Sequence, residues 1–483
     1  MAQNPGDRND NSAQKSEAEL NRKIIEVISE NACDASFEDI DKTTLKNAKN
    51  RILDLLGCAL SGAKGPGNAG LVDLVKSWGG REDSTIFVYG GKVPAHNAAM
   101  VNSVITRTYD FEAIGAFVEG VELSSHVSVT TVLTALTIGE AHNADGKKLL
   151  TALLIGDDLA SRVLAASGFG DGGNFALGWD GNGTVNAFGA TAIAGHVLGL
   201  TKKQMQHAFG IVLSQMGGSF QNIWDGTLCF KLPNALSARN GIISAELAKA
   251  GWDGPVDPLF SNFGYFNLFT GGCGNKEILT KDIGRKFYTE KTFKPYSCCR
   301  ANHATIDCAL KIVGENEIDA DAVEDIILRV PPRVRDMFVG QPFVLRETPQ
   351  ADAAFSLRFC IANVLLRKGI KIEDFREESI REPAIAAIAD KVKIIGFEPH
   401  ELGQKSAELT VKMKGGREYS ADVKFVRGGP FENSFTDDDI KEKFRRNLLV
   451  SGAVPAERGE QIVSIVDNLE ELNDIGELIK LMV

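Results

Sequence analysis

The stretch Thr184–Leu200, TVNAFGATAIAGHVLGL, carries almost no charge over seventeen residues. A helix that is apolar on every side is stable only when other helices surround it. This one segment therefore implies a large body of packed helices. Similar runs near 93–108, 129–142, 147–165, 202–216 and 234–250 are rich in Ala, Gly and Ile rather than in surface charge. An earlier helix begins near Ile40, with Asp41 or Thr43 as its cap. Leu45, Ala48, Ile52, Leu55, Leu56 and Ala59 then share one face at helical spacing, and Gly62 and Gly65 end the run. Together these predict a compact all-helical domain, not a thin bundle.

The pattern changes after about residue 285. Ile326–Val330 and Lys391–Ile395 read as strands, and 406–423 reads as a hairpin around Gly415-Gly416. Helices are expected between them, near 303–315, 350–367 and 375–389. From Thr436 the pattern is helical to the end. The fold class expected is mainly α, with a smaller α+β unit inserted in the helical domain. Its parts are a disordered polar tail at 1–17, helical residues 18–284, the α+β unit at 285–428, and a helical return at 429–483.

The chain has 483 residues and a formal net charge of -11, a balance that argues against nucleic-acid binding. No apolar run reaches the roughly 18 residues of a membrane span. The N-terminal residues lack the apolar core of a secretory signal, so a cytoplasmic location with reduced cysteines is expected. The 49 glycines show no period of three and read as tight turns and close helix contacts.

Chemistry-bearing residues concentrate at 294–303, KPYSCCRANH. Adjacent Cys298 and Cys299 lack zinc-site spacing, and no metal is expected. A catalytic thiol would find an electropositive setting there. An anion site fits better: Lys294 and Arg300 enter a helix starting near Ala301, and a helix N-terminus favours negative charge. A surface ion pair beside a capped helix is the plain alternative. His126 lies in LSSHVSVTT, a polar turn before an apolar helix, where it can reach a cleft. His196, inside the apolar helix, reads as a satisfied core residue, and His142, His207 and His400 as solvent-facing. Asp110 follows a helix C-terminus, where the dipole disfavours an acid. It is either a capped turn or an acid/base group that orients His126. Asp180 sits in GWDGNGT, a glycine turn without a P-loop lysine. Lys231, in CFKLPNA, has apolar neighbours, and is either a base, a carboxylate anchor or a snorkelling lysine.

These pieces resemble the MmgE/PrpD family, which includes 2-methylcitrate dehydratase, cis-aconitate decarboxylase and iminodisuccinate epimerase. The matching residues are RILDLLGCALSG from Arg51, YDFE from Tyr109 with His126 downstream, and GWDGNGT with Phe188-Gly-Ala. FKLPNA from Phe230, the 294–303 stretch, and Lys443-Phe complete the set. The resemblance implies a helical domain with an inserted α+β lid, usually as a homodimer. It implies an enzyme without a cofactor, acting on small di- or tricarboxylates between domain and lid. Asp110 matches the acidic residue of the family's aspartate-rich turn, and His126 a histidine of its active site. Lys231 and Lys294 match pocket lysines, and Arg300 and His303 match a Cys-Arg-x-x-His pattern. Four departures stand out. Asp180 replaces a histidine, Phe359 a tyrosine, and Cys299 a histidine of the decarboxylase. The turn after Asp110 has Ala113 and Ile114 and runs longer before His126. They argue against a strict decarboxylase or 2-methylcitrate dehydratase. The expected function is a lyase or isomerase that removes a proton next to a carboxylate. In that reading His126 is the base, Asp110 its orienter and Asp180 a second acid/base group, with Lys231 also in the catalytic set. Lys294, Arg300, His303 and Phe359 bind the substrate. A catalytically degenerate carboxylate binder is the alternative.

Overall fold

The computed structural model describes residues 5–168, 178–401, 403 and 405–483, with side chains from Ser16 onward. The chain is largely helical. The first 250 residues form α1 (Pro5–Asp34), α2 (Lys42–Gly62), α3 (Asn68–Trp78), α4 (Ala95–Arg107), α5 (Ser128–Ala141), α6 (Gly146–Ala166), α7 (Val185–Leu198) and α8 (Lys202–Leu213). The short α9 (Gln221–Trp224) leads to α10 (Leu232–Lys249). The charge-free stretch is α7, and it packs against α5, α6, α8 and α10. Close approach to α6 depends on glycine: a Cβ on Gly189 would lie 2.6 Å from Gly156 O. His196 Nδ1 donates to Ala32 O at 3.0 Å, so it is a satisfied core histidine.

Two expectations need correction here. The segment 1–17 is not a tail throughout. Residues 1–4 lie outside the described residues, but α1 begins at Pro5. Ile24, Ile25 and Ile28 bury one face of this helix, and Lys276 Nζ donates to Glu17 and Asn21. The docked face carries the helix back into polar sequence. The body is also not all-helical. Apart from a small pair, β1 (Ser84–Thr85) with β2 (Lys92–Val93), it holds a sheet of β3 (Ile114–Val118), β4 (Val121–Leu123) and β5 (Glu290–Thr292) in the order β4-β3-β5. Glu119 and Gly120 both take positive φ, 48° and 86°, the turn that suits a two-residue hairpin. β3 is almost wholly buried, so it lacks the alternation that marks a half-exposed strand. This hairpin lies between Asp110 and His126.

Beyond residue 290 a second unit forms on a four-stranded sheet. Its strands are β6 (Val323–Val330), β7 (Val392–Gly396), β8 (Ala407–Met413) and β9 (Glu418–Val423), in the order β7-β6-β8-β9. β6 pairs parallel with β7 and antiparallel with β8; β8 and β9 form the Gly415-Gly416 hairpin. α11 (His303–Glu315) covers β8 and β9. The helix expected at 350–367 is broken into α13 (Pro349–Ala354) and α14 (Leu357–Arg367), after the short α12 (Pro332–Asp336). Ser356 caps α14 by accepting from Phe359 N at 3.2 Å. The run at 375–389 likewise splits into α15 (Glu377–Ile380) and α16 (Pro383–Ala389), because Pro383 starts a helix well but cannot continue one. The C-terminal helices are α17 (Asp437–Ser451), α18 (Ala456–Asp467) and α19 (Gly476–Lys480). Ile440, Phe444 and Leu448 of α17 join the core that contains α2, and Lys443 pairs with Asp54 at 2.6 Å. No helix among the described residues is long and apolar enough to cross a membrane.

Candidate active site

A cavity of about 420 Å³ opens between the helical body and the sheet-bearing unit. Arg107, Asp110, His126 and Asp180 face it from the body, and Cys299 and Arg300 from the other side. Apolar side chains such as Phe338 and Phe355 fill much of the remaining wall.

His126 sits in the turn before α5. Its backbone is held on three sides: its N–H donates to Asn182 Oδ1 (3.2 Å), and its carbonyl accepts from Asn186 (2.9 Å) and Asn234 (2.7 Å). Its ring Nδ1 lies 2.7 Å from Glu112 Oε1, whereas Nε2 is 3.9 Å from Asp110 Oδ1. The orienting acid is therefore Glu112, not Asp110. Burial opposes the charge on Glu112, but Arg107, Lys294 and the histidine outweigh it and hold its carboxyl well below the usual range. An ionised Glu112 must accept, so Nδ1 carries the proton and Nε2 keeps the basic lone pair. Desolvation, then Arg107 and Lys294, push the imidazole pKa down to about 4. His126 is thus neutral at pH 7.

Asp110 is buried and adopts φ +49°, a left-handed turn that aspartate tolerates. The turn folds residues 110 and 112 back onto the end of α4, where Arg107 Nη1 pairs with both carboxylates, at 2.7 Å to Glu112. Lys294 Nζ donates to Asp110 O (2.6 Å) and Oδ1 (2.8 Å). Two cations and two anions form one buried cluster behind His126. Burial resists the charge on Asp110, yet Arg107, Lys294 and His126 lower its pKa overall. Asp110, Glu112 and His126 could each offer one ligand atom to a metal, since these atoms lie within 4.8 Å of one another. The donor set fits an ion poorly, because Arg107 and Lys294 already neutralise both carboxylates and would repel a dication.

The other expected residues divide. Asp180 lines the cavity and accepts from Asn182 N at 2.9 Å, and burial raises its pKa. Arg300 lines it too, donating to Arg427 O (2.7 Å) and to His303 Nδ1 (3.3 Å). Four expectations are corrected. Lys294 is fully buried on Asp110 and does not line the cavity, because the acid claims its charge. His303 is fully buried; having accepted from Arg300, it donates through Nε2 to Cys298 O at 3.2 Å and so supports the arginine. Lys231 is buried away from the cavity, its Nζ on Pro66 O (2.8 Å) and Asn68 Oδ1 (3.3 Å). Its apolar neighbours do depress its pKa, to about 7. Phe359 packs between Phe343 and Phe375 in the core of the sheet-bearing unit and does not line the cavity. The residues missed are Arg107 and Glu112. Their signal was a basic residue three and five positions before two acids.

Comparison with known proteins matches residues 26–277 to the MmgE/PrpD N-terminal domain and residues 296–471 to the MmgE/PrpD C-terminal domain. A cis-aconitate decarboxylase-like protein of Aspergillus oryzae is 24% identical over 473 residues, covering 92% of this chain and 94% of that protein. Human cis-aconitate decarboxylase is 25% identical over 454 residues, 91% and 90% of the two chains. The Aspergillus terreus cis-aconitate decarboxylase is 23% identical over 493 residues, 97% and 98%. These relatives are lyases by name, and they support lyase-type activity at the level of the family. With both halves matched, in order, over most of its length, the chain belongs to the MmgE/PrpD family.

Proposed function

We propose that the protein removes a proton next to a carboxylate of a small di- or tricarboxylic acid, and that elimination or epimerisation follows. The observation that carries this reading is the His126–Glu112 bond. It leaves a neutral imidazole with a basic Nε2 at the wall of a cavity whose volume suits a small molecule. Arg300, held at the start of α11, is the carboxylate anchor, with a fork that matches two oxygens. Arg300 also offers positive charge to the enediolate that forms when the C–H proton leaves, whereas the charge of Arg107, which borders the same space, is matched by Asp110 and Glu112. Asp180, whose burial favours the protonated form, is the group that can give a proton to a leaving group or to the other face of the carbanion.

The two departures from the family pattern at Asp180 and Cys299 both lie in the cavity wall. That supports a substrate or outcome different from the decarboxylation named for the relatives. The sheet-bearing unit, residues 285–428 in this reading, serves as a lid whose closure excludes water. The assembly is a homodimer, as the family resemblance implies.

The test is proton NMR in heavy water with citrate, methylcitrate, aconitate, malate and amino-disuccinates. The expected result is loss of a C–H signal beside a carboxylate on at least one compound. His126→Ala should abolish the exchange and leave carboxylate binding largely intact. Binding without exchange across the panel would indicate a degenerate carboxylate binder. Release of carbon dioxide without prior exchange would move the protein to the decarboxylases.

A further inference from the structure

The turn that carries His126 opens α5, and the helix lacks a cap of its own, because its first flanking residue is Val127. A side chain from far along the chain fills that place. Glu290, on β5 and 1% exposed, accepts from Val127 N at 2.6 Å and Ser128 N at 2.9 Å. Ser125 Oγ donates to the same carboxylate at 2.9 Å and itself accepts from Ala116 N on β3. The three bonds bracket His126 on both sides. An acid at a helix N-terminus is well placed for both the dipole and the unpaired N–H groups.

The charged groups around Glu290 are few. From α2, Arg51 reaches Ser128 Oγ at 3.1 Å, but its charge is matched by Asp157 of α6 at 2.7 Å. From β4 of the same sheet, Glu122 bonds Thr292 instead. His126 is turned toward Glu112. Among the described residues, Glu290 therefore has hydrogen-bond donors but no cation bonded to it.

We propose that Glu290 is a positioning residue for His126, acting through the Ser125–Ser128 turn, and that its ionised form holds the base in place. This rests on the reading of His126 as the base. Glu290 is not a catalytic residue, since it does not line the cavity. Burial pushes its pKa up to about 7, against the bonds from Ser128 and Val127. A protonated carboxyl must use one oxygen as a donor, and it then faces two N–H groups that need acceptors. The grip on the turn loosens as pH falls through neutrality. His126 itself titrates far lower, so the two steps separate.

The experiment uses the full chain with labelled histidine, and the His126 ring signal is assigned by its loss in His126→Ala. In the wild type that signal should shift near pH 7 without the change expected of imidazole protonation. In Glu290→Gln the step should vanish, and kcat should fall about 10- to 100-fold with KM little changed, a loss typical of a misplaced group. The acid limb of kcat near neutrality should vanish with it. A flat His126 signal from pH 5.5 to 8.5 in the wild type would overturn the proposal, as would an unchanged step in Glu290→Gln. If Glu290→Gln does not fold, Ser125→Ala removes one of the three bonds. A displaced midpoint then supports the proposal and an unmoved one overturns it. The ring signal is read without substrate, so a clear step in a protein that exchanges no substrate proton would sink only the catalytic reading.

Discussion

His126 owes its chemistry to one bond. With Glu112 ionised and accepting, Nδ1 must hold the proton, and the reactive nitrogen is fixed before substrate arrives. Glu112→Gln tests this directly. The amide can offer its NH2 to Nδ1, which favours the opposite tautomer and removes the basic lone pair from Nε2. It also takes one anion from Arg107. The expected result is a loss in kcat on the order of 10²–10⁴-fold with little change in substrate affinity. Steady-state kinetics and the His126 ring nitrogen shifts check it; near-wild-type kcat with an inverted tautomer would show that Nε2 is not the base. At this scale the sequence revealed part of the site. His126, Asp110, Asp180 and Arg300 were legible as polar or charged residues beside turns and helix ends. Glu112 was only half legible: its spacing from Arg107 signals an ion pair, but its contact with His126 depends on the left-handed bend at Asp110, which spacing does not announce. Lys294 and His303 were legible as important but not as buried supports, since a charged residue's partner is a property of the fold.

At the scale of elements, what could be read depended on periodicity. α7 was legible because absence of charge is itself a pattern, β8 because its two faces alternate cleanly, and β9 because Gly415-Gly416 marks the turn that leads into it. The β3–β4 hairpin was not, because burial removes alternation from β3. The helix contacts lead to a contrast between two glycines. Gly189→Ala puts a Cβ 2.6 Å from the backbone oxygen of Gly156, which cannot swing away, and should destabilise by about 1–3 kcal/mol, the usual range for overpacking. Gly70→Ala lies in α3 with nothing within 4 Å of the new Cβ, and should stabilise by about 0.5–1 kcal/mol through helix propensity. Urea midpoints of the two variants decide it. A Gly189→Ala variant as stable as Gly70→Ala would mean that α6 and α7 are not in the close contact described.

Over the whole molecule, buried charges set how stability responds to pH. Arg51–Asp157, Arg162–Asp158 and Lys443–Asp54 each bring opposite charges inside together. Lys231 differs, because its bonded partners, Pro66 O and Asn68 Oδ1, are neutral. Burial alone takes its ammonium from an ordinary value of 10.5 to about 7. In that interval the unfolded chain binds a proton that the folded chain does not, so the fold gains stability as pH rises from 7 toward 10. Below pH 7 both states are protonated, and the cost of the buried charge is present in full and constant. Lys231→Met should remove both the cost and its pH dependence, while leaving two acceptors unpaired at about 1–3 kcal/mol. The expected observation is a wild-type urea midpoint that climbs relative to the variant between pH 7 and 9.5 and runs parallel to it below pH 7. A constant offset across the whole range would show that water reaches this lysine. The apolar neighbours in FKLPNA would then be no sign of a dry interior, and the sequence argument that first singled out Lys231 would fail together with the structural one.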